Sequence, residues 1–126
     1  MSILRKENNM KLIIAGGRTF SDYNLLRESV DRLREEHPDI DTVVSGTARG
    51  ADKLGERYAY SYGLDIVSMP ADWNTHGLSA GYKRNKQMAE VADACICFWD
   101  GKSKGTGHMI DLAKEYDILK KVVLYN

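Results

Sequence analysis

The sequence predicts an α/β fold, a three-layer sandwich in which helices cover both faces of a five-stranded, mostly parallel sheet. Two observations carry this prediction. Five short apolar runs rich in valine, isoleucine and leucine recur along the chain, and amphipathic stretches with helical spacing separate them. Such runs are typical of strands buried on both faces of a parallel sheet. With 126 residues, the chain has the length of one domain.

The first half of the chain predicts strand, helix, strand and helix. These elements are residues 12–15, 22–36, 42–45 and 48–62. Glycine ends each apolar run, and each helix repeats apolar side chains at i, i+3, i+4 and i+7, the spacing of a helix that lies on a sheet. Gly55 falls on the apolar stripe of the second helix, so we expect close contact between that helix and a strand.

The second half predicts a strand, a long loop, a helix, a strand, a helix and a strand. These segments are residues 65–69, 70–81, 80–91, 94–99, 106–118 and 122–125. The loop has no hydrophobic period, and such a long loop in a compact domain is more often functional than idle. Right-handed crossovers place every strand-to-helix loop at one edge of the sheet, and the expected strand order is 3-2-1-4-5.

Charge and hydropathy narrow the function classes. Basic and acidic residues both number 18, which gives a formal net charge of zero. Nucleic-acid-binding domains usually carry a basic excess or a basic stripe, so we do not expect nucleic acid as a partner. No apolar run approaches the ~20 residues of a membrane span, and residues 1–10 lack the apolar centre of a signal peptide. We therefore expect a cytoplasmic protein without a membrane partner.

The thiol and imidazole groups predict no metal site. Cys95 and Cys97 lie in one predicted strand, and the three histidines are scattered along the chain, so no zinc-ligand spacing occurs. We expect the two cysteines to be buried, reduced and on opposite faces of the sheet. No cofactor is expected to be required, although Mg²⁺ could accompany the phosphates of a bound nucleotide.

Three glycine-rich loops follow the first, second and fourth predicted strands and meet at one edge of the sheet. Glycine lets backbone N–H groups approach a ligand, and the first turn of a helix favours an anion. Neither a G-x-G-x-x-G fingerprint nor a P-loop motif is present. The candidate ligand-binding residues of the three loops are Gly16, Gly17, Arg18, Thr19, Phe20, Ser45, Gly46, Arg49, Gly50, Asp52, Asp100, Gly101, Ser103, Gly105, Thr106 and Gly107.

Each group in these loops suggests a part of a nucleotide. Arg18, Arg49 and the amides of residues 105–107 are expected to hold phosphates, and Asp52 or Asp100 a ribose hydroxyl. Because three such loops meet at one edge, a ligand site is favoured over the alternative that the glycines only form turns. We therefore predict a nucleotide-derived, phosphate-bearing small molecule as the partner.

The long loop and the helix after it add further candidates. Trp73 or Phe20 is expected to stack on a base, and the alternative for Trp73 is a position at the rim of the core. Arg84 and Asn85 begin the next helix and are expected to reach the same crevice; the alternative is that they are ordinary solvated residues.

Residues 16–20, 45–52, 80–85 and 98–106 resemble the YspA/YpsA-related branch of the SLOG superfamily, which also includes Smf/DprA proteins and Lonely Guy (LOG) phosphoribohydrolases. The resemblance runs from about Met10 to the C-terminus. It implies a Rossmann-like nucleotide-binding domain over residues 10–126 and a flexible N-terminal extension over residues 1–9. It also implies a bacterial or phage protein that binds NAD or ADP-ribose relatives and forms a homo-oligomer.

The resemblance also leaves two other functions open, hydrolysis of a nucleotide N-glycosidic bond as in LOG proteins and single-stranded DNA binding as in DprA. LOG proteins carry P-G-G-x-G-T-x-x-E, and Met109 stands here in place of the catalytic glutamate. A thioether takes no proton at neutral pH, so we expect binding without turnover. Asp52, Asp72 or Asp100 could still supply a carboxylate from another loop.

Overall fold

The computed structural model describes residues 9–126. Residues 1–8, most of the predicted extension, lie outside the described residues. In chain order the elements are β1 (Met10–Gly16), α1 (Tyr23–Glu36), β2 (Ile40–Ser45), α2 (Ala51–Tyr62), β3 (Asp65–Ser68), α3 (Trp73–His76), a 3₁₀ turn (Gly77–Ser79), α4 (Ala80–Val91), β4 (Ala94–Trp99), α5 (Lys104–Glu115) and β5 (Leu119–Leu124). All strands are parallel and lie in the order β3-β2-β1-β4-β5. The predicted α/β architecture is confirmed.

Two differences from the predicted boundaries lie where short-range interactions decide them. The long loop contains the single turn α3, because Asp72 caps it by accepting a hydrogen bond from the Thr75 N–H at 3.1 Å. A helix of one turn is too short to show a hydrophobic period. Helix α5 ends before residue 118 because Asp117 adopts a left-handed φ of 59°.

Strand β1 lies at the centre of two separate apolar cores. Leu12 and Ile14 pack on the face that α1 and α2 cover, whereas Ile13 and Ala15 pack on the face that α4 and α5 cover. Successive side chains of a strand alternate between the faces of a sheet, so a continuous apolar run fills both cores. The carboxyl end of β1 therefore opens between the two helix layers. Among residues 9–126, no helix has both the length and the apolar character to cross a membrane.

The prediction that Cys95 and Cys97 lie on opposite faces is wrong. Both side chains are fully buried in the core beneath α4 and α5, and their Sγ atoms lie 3.6 Å apart. Residues two apart on a strand share a face, so the spacing itself requires this arrangement. The cysteines are free thiols.

The predicted close contact at Gly55 is confirmed. A Cβ atom at this position would lie 2.9 Å from the Cβ and Cγ2 atoms of Ile14 on β1. Only a glycine lets α2 approach the central strand so closely.

We therefore expect opposite effects of alanine at two helical glycines. Gly55→Ala should lower the free energy of unfolding by about 1–2 kcal/mol, because overpacking outweighs the gain in helix propensity. Gly105→Ala in α5 should raise it by about 0.5 kcal/mol, since a Cβ there meets no atom within 4 Å. Urea titration measures both changes. Equal effects of the two substitutions would contradict the close contact.

Candidate functional site

A cavity of about 470 Å³, which we call the main cavity because most of the candidate residues line it, opens at the carboxyl ends of β1 and β4. These two strands flank the point at which the winding direction of the sheet reverses, where ligands bind in open α/β sheets. The structure places twelve of the predicted site residues around this cavity. They are Gly16, Gly17, Arg18, Thr19, Asp52, Trp73, Arg84, Asn85, Asp100, Ser103, Gly105 and Thr106.

Three other predicted residues lie in neighbouring clefts. Gly46 and Arg49 line a second cleft of about 390 Å³, beside the loop after β2. Gly107 lines a third cleft of about 490 Å³ along α5. The phosphate-binding group proposed from the sequence, which joined Arg49 to residues 105–107, is therefore divided between separate cavities.

Phe20 and Ser45 require correction, because both side chains are buried away from these cavities. The Phe20 ring is 3% exposed and stacks on Phe98 with ring centroids 4.9 Å apart, so it cannot also stack on a base. The Ser45 hydroxyl donates to Glu56 Oε2 at 2.6 Å and accepts from the Thr47 N–H at 3.0 Å. Ser45 therefore holds the loop after β2 and is not available to a ligand.

Gly50 and Gly101 also lie outside the three cavities. Glycine is required at both positions by the conformation of the backbone. Gly50 has a φ of +79°, and a Cβ there would lie 2.2 Å from the Gly17 carbonyl oxygen. The neighbouring Ala51 N–H donates to that same oxygen at 3.2 Å. The loops after β1 and β2 thus pack directly on each other. Gly101 has a φ of +82° and forms the turn after β4.

The first turn of α5 supplies the unpaired donors of the main cavity. The side chain of Ser103, which precedes the helix, forms no capping hydrogen bond. The first intrahelical hydrogen bond runs from the Gly107 N–H to the Ser103 carbonyl oxygen. The preceding N–H groups, those of residues 104–106, have no partner within the helix. Gly105 and Thr106 line the cavity, and the Thr106 hydroxyl lies 3.3 Å from that of Ser103. This end of the cavity is suited to an anion.

Asp100 fixes the loop that leads into α5. Its Oδ1 atom accepts hydrogen bonds from the Lys102 N–H at 2.9 Å and the Ser103 N–H at 2.8 Å. Both hydrogen bonds lower the pKa of Asp100, and the bond from Ser103 has the larger effect. The Trp99 indole N–H donates to the Ser103 carbonyl oxygen at 3.0 Å and holds the same loop. Asp100 is therefore an ionised, structural carboxylate at the edge of the site.

Arg84 and Asn85 connect the loop after β2 to α5. The Arg84 guanidinium donates to the Gly46 carbonyl at 2.5 Å and to Asn85 Oδ1 at 3.1 Å. Asn85 Nδ2 donates in turn to the Gly105 carbonyl at 3.2 Å. Arg84 lines both the main cavity and the second cleft. These hydrogen bonds hold the guanidinium against two neutral oxygens. Arg84 forms no salt bridge within residues 9–126, although the charge of Asp52 acts on it. Part of its charge is therefore available to an anion.

Asp52 is a buried carboxyl group in the wall of the main cavity. It is 6% exposed and accepts a hydrogen bond from the Ala48 N–H at 3.1 Å. Burial raises its pKa to about 6, although the Ala48 N–H and the charge of Arg84 act in the opposite direction. Asp52 can therefore gain or lose a proton close to neutral pH.

Sequence reasoning missed seven lining residues of the main cavity. They are Ala15, Ala48, Leu78, Gly81, Tyr82, Met88 and Met109. Most of them are apolar and carry no distinguishing signal, and Met109 was considered only as the residue in place of the LOG glutamate. Tyr82 is the informative omission, because it is 45% exposed and its ring meets His108 edge-on with centroids 4.6 Å apart. Tyr82 lies within residues 80–85, one of the stretches that carry the family resemblance, and this position could have identified it as a site residue.

Metal-ligating side chains do not cluster within residues 9–126: no group of three or more histidine, cysteine, aspartate or glutamate residues there could hold an ion. The expectation that no cofactor is required stays a prediction.

Comparisons with known proteins identify the family and agree with the fold. Residues 10–76 match the family model described as the YspA, cpYpsA-related SLOG family. The chain is similar to the Gene 61 protein of Mycobacterium phage D29, with 32% identity over 114 residues, 86% of this chain and 91% of the phage protein. It also superimposes on DNA processing protein A from Helicobacter pylori, a structure described for its single-stranded DNA binding mode. That match has a TM-score of 0.63 and 18% identity, and it covers 94% of this chain and 67% of the other.

The last match corrects the expectation that nucleic acid is not a partner. A protein described for single-stranded DNA binding shares this fold. The net charge of zero averages over the whole surface, whereas Arg18, Arg49 and Arg84 line one cleft together. A neutral total is therefore compatible with a basic cleft, and it does not exclude nucleic acid.

Proposed function

The chain belongs to the YspA, cpYpsA-related SLOG family, and from this premise we propose that its main cavity binds a nucleotide-derived, phosphate-bearing small molecule, such as an NAD or ADP-ribose relative. The protein would sense or sequester that molecule. One observation carries the proposal: the unpaired first turn of α5 and the guanidinium groups of Arg18 and Arg84 line the same cavity. Backbone donors and guanidinium groups together are suited to phosphate.

The remaining lining residues suit the other parts of a nucleotide. The N–H groups of Gly105 and Thr106, with the Ser103 and Thr106 hydroxyls, would donate to a phosphate. Trp73 is 49% exposed at the cavity and offers a face to a base. Asp52 would accept a hydrogen bond from a ribose hydroxyl. Each group thus has a distinct role in the proposed complex.

Alanine at two glycines of α5 tests this proposal. A Cβ tilts toward the N-terminus of a helix, so Gly105→Ala places a methyl group where a phosphate would meet the amides. We expect affinity for AMP, measured by isothermal titration calorimetry, to fall about tenfold, the loss of roughly one hydrogen bond to a charged group.

Gly107→Ala is the matched control, because Gly107 lies on the same helix but outside the main cavity. A Cβ there makes only ordinary contact, 3.5 Å from Trp99. AMP affinity should remain within about twofold of the natural protein, which is less than one hydrogen bond contributes. Equal losses of AMP affinity in the two variants would contradict the proposal that a phosphate binds at the first turn of α5.

We expect no release of free base from AMP, cytidine monophosphate or NAD⁺ above a buffer control. Met109, in the position of the LOG glutamate, lines the cavity but has no proton to transfer. Asp100 is engaged by its own loop, so Asp52 is the carboxyl group best suited to a hydrolase. Turnover that disappears in Asp52→Asn while AMP binding persists would replace the binding proposal with nucleotide N-glycoside hydrolysis.

Single-stranded DNA is a second candidate ligand, favoured by the likeness to DNA processing protein A and by two exposed aromatic side chains at the cavity, Trp73 and Tyr82. Aromatic platforms beside a basic groove are typical of single-strand binding. A labelled deoxyadenosine strand of ten nucleotides, titrated at two salt concentrations, tests it. Binding that weakens with salt and competes with AMP would support this candidate, whereas no binding at low salt would refute it.

A further inference from the structure

The second cleft, of about 390 Å³, has the character of an anion site. Arg18, Arg49 and Arg84 line it together with Thr47 and Trp73, and its lining within the described part of the chain contains no carboxylate. The ion pairs found among residues 9–126 involve none of these arginines. Three guanidinium groups in one cleft repel one another, so a bound anion is favoured there.

The second cleft adjoins the main cavity through a shared wall. Arg18, Ala48, Trp73 and Arg84 line both spaces. The anion-binding turn of α5 contributes only to the main cavity, whereas Arg49 contributes only to the second cleft. The site therefore offers two groups of phosphate donors, with the half-exposed indole of Trp73 in the wall between them.

We propose that the second cleft is a separate phosphate subsite, and that the ligand carries two phosphates with a nucleoside between them, as in a 5′-phosphorylated dinucleotide. This inference rests on the function proposed for the main cavity. The subsite narrows the ligand class proposed above. The phosphates of a pyrophosphate, as in NAD or ADP-ribose, share one oxygen and lie together in a single cavity, so they leave the second cleft unused. A 3′,5′-phosphodiester instead separates the phosphates by a sugar and presents a base to Trp73.

Titration of the full chain with four probes tests the subsite. The probes are AMP, ADP, the deoxyadenosine dinucleotide pdApdA and a 5′-phosphorylated strand of ten deoxyadenosines. The natural protein should bind pdApdA about tenfold more tightly than AMP or ADP, as one added charged hydrogen bond predicts. Affinity for the long strand equal to that for pdApdA identifies a dinucleotide as the ligand, and higher affinity identifies a single strand.

Arg49→Ala gives the decisive comparison. Arg49 is exposed and lines only the second cleft, so the substitution should lower affinity for pdApdA about tenfold and leave affinity for AMP unchanged. Arg32→Ala removes the same charge from an exposed position on α1 and should change neither affinity. Equal affinities of the natural protein for pdApdA and ADP, or equal effects of Arg49→Ala on pdApdA and AMP, would overturn the subsite.

The same titrations distinguish failure of the function proposed for the main cavity from failure of the second subsite. If the natural protein binds pdApdA in an Arg49-dependent way but does not bind AMP, the second subsite stands and the mononucleotide function falls. If AMP binds and Arg49→Ala leaves pdApdA affinity unchanged, the mononucleotide function stands and the second subsite falls.

Discussion

Asp52→Asn should stabilise the protein by about 2–3 kcal/mol more at pH 7.5 than at pH 4. Burial raises the pKa of Asp52 from 3.8 to about 6, and each unit of such a shift corresponds to about 1.4 kcal/mol. The folded protein holds this proton more tightly than the unfolded chain does. The associated stability is therefore fully present below pH 3.8, declines as the pH rises to about 6 and is absent above it. Asparagine carries no charge and removes this dependence.

Urea titrations of both proteins between pH 4 and pH 7.5 measure the effect. The matched control is Asp39→Asn, which removes a carboxylate from an exposed position. Its difference in stability from the natural protein should stay nearly constant over the same range. A constant difference for Asp52→Asn as well would show that this carboxyl group is already solvated in the folded protein.

Arg84→Met should reduce affinity for AMP about a hundredfold, or about 2.7 kcal/mol. The substitution removes a guanidinium that lines both cavities and leaves the Gly46 carbonyl without its donor. It should also raise the pKa of Asp52 further, because the charge of Arg84 lowers that pKa in the natural protein. Calorimetry measures the affinity, and carboxyl-detected NMR titration measures the pKa.

Two further variants separate loss of binding from loss of fold. Lys86→Met removes one positive charge from an exposed position on the same helix and should keep AMP affinity within about twofold, because exposed charges act only weakly at a distance. Arg84→Lys retains the charge but loses the planar fork of donors, so its affinity should be intermediate. AMP affinity in Arg84→Met equal to that in Lys86→Met would contradict a direct role for the guanidinium.

The fold could be predicted closely because its signals are local and repeated. The apolar run of β1 and the helical spacing around Gly55 each identify one element, and right-handed crossovers then determine the edge at which the loops meet. The switch point between β1 and β4 followed from the strand order. Most candidate residues reached the main cavity because their loops start at that edge.

The parts of the site that could not be predicted depend on contacts between distant residues. Phe20 follows a glycine loop and could equally face solvent, but Phe98 on β4 covers it. Arg49 and Gly105 both follow strands at the same edge, yet the shared wall beside Trp73 separates their cavities. The shared face of Cys95 and Cys97 is different in kind, because the strand period alone was sufficient to predict it.

The packing of Gly50 on the Gly17 carbonyl has a consequence for binding kinetics. Because the two loops hold each other through this contact and the Ala51 N–H, the backbone that carries Arg18 and Asp52 is positioned before any ligand arrives. A preorganised site loses little conformational entropy on association. Association should then proceed as a single diffusional step whose observed rate rises linearly with ligand concentration, and differences in affinity among ligands should appear mainly in their dissociation rates.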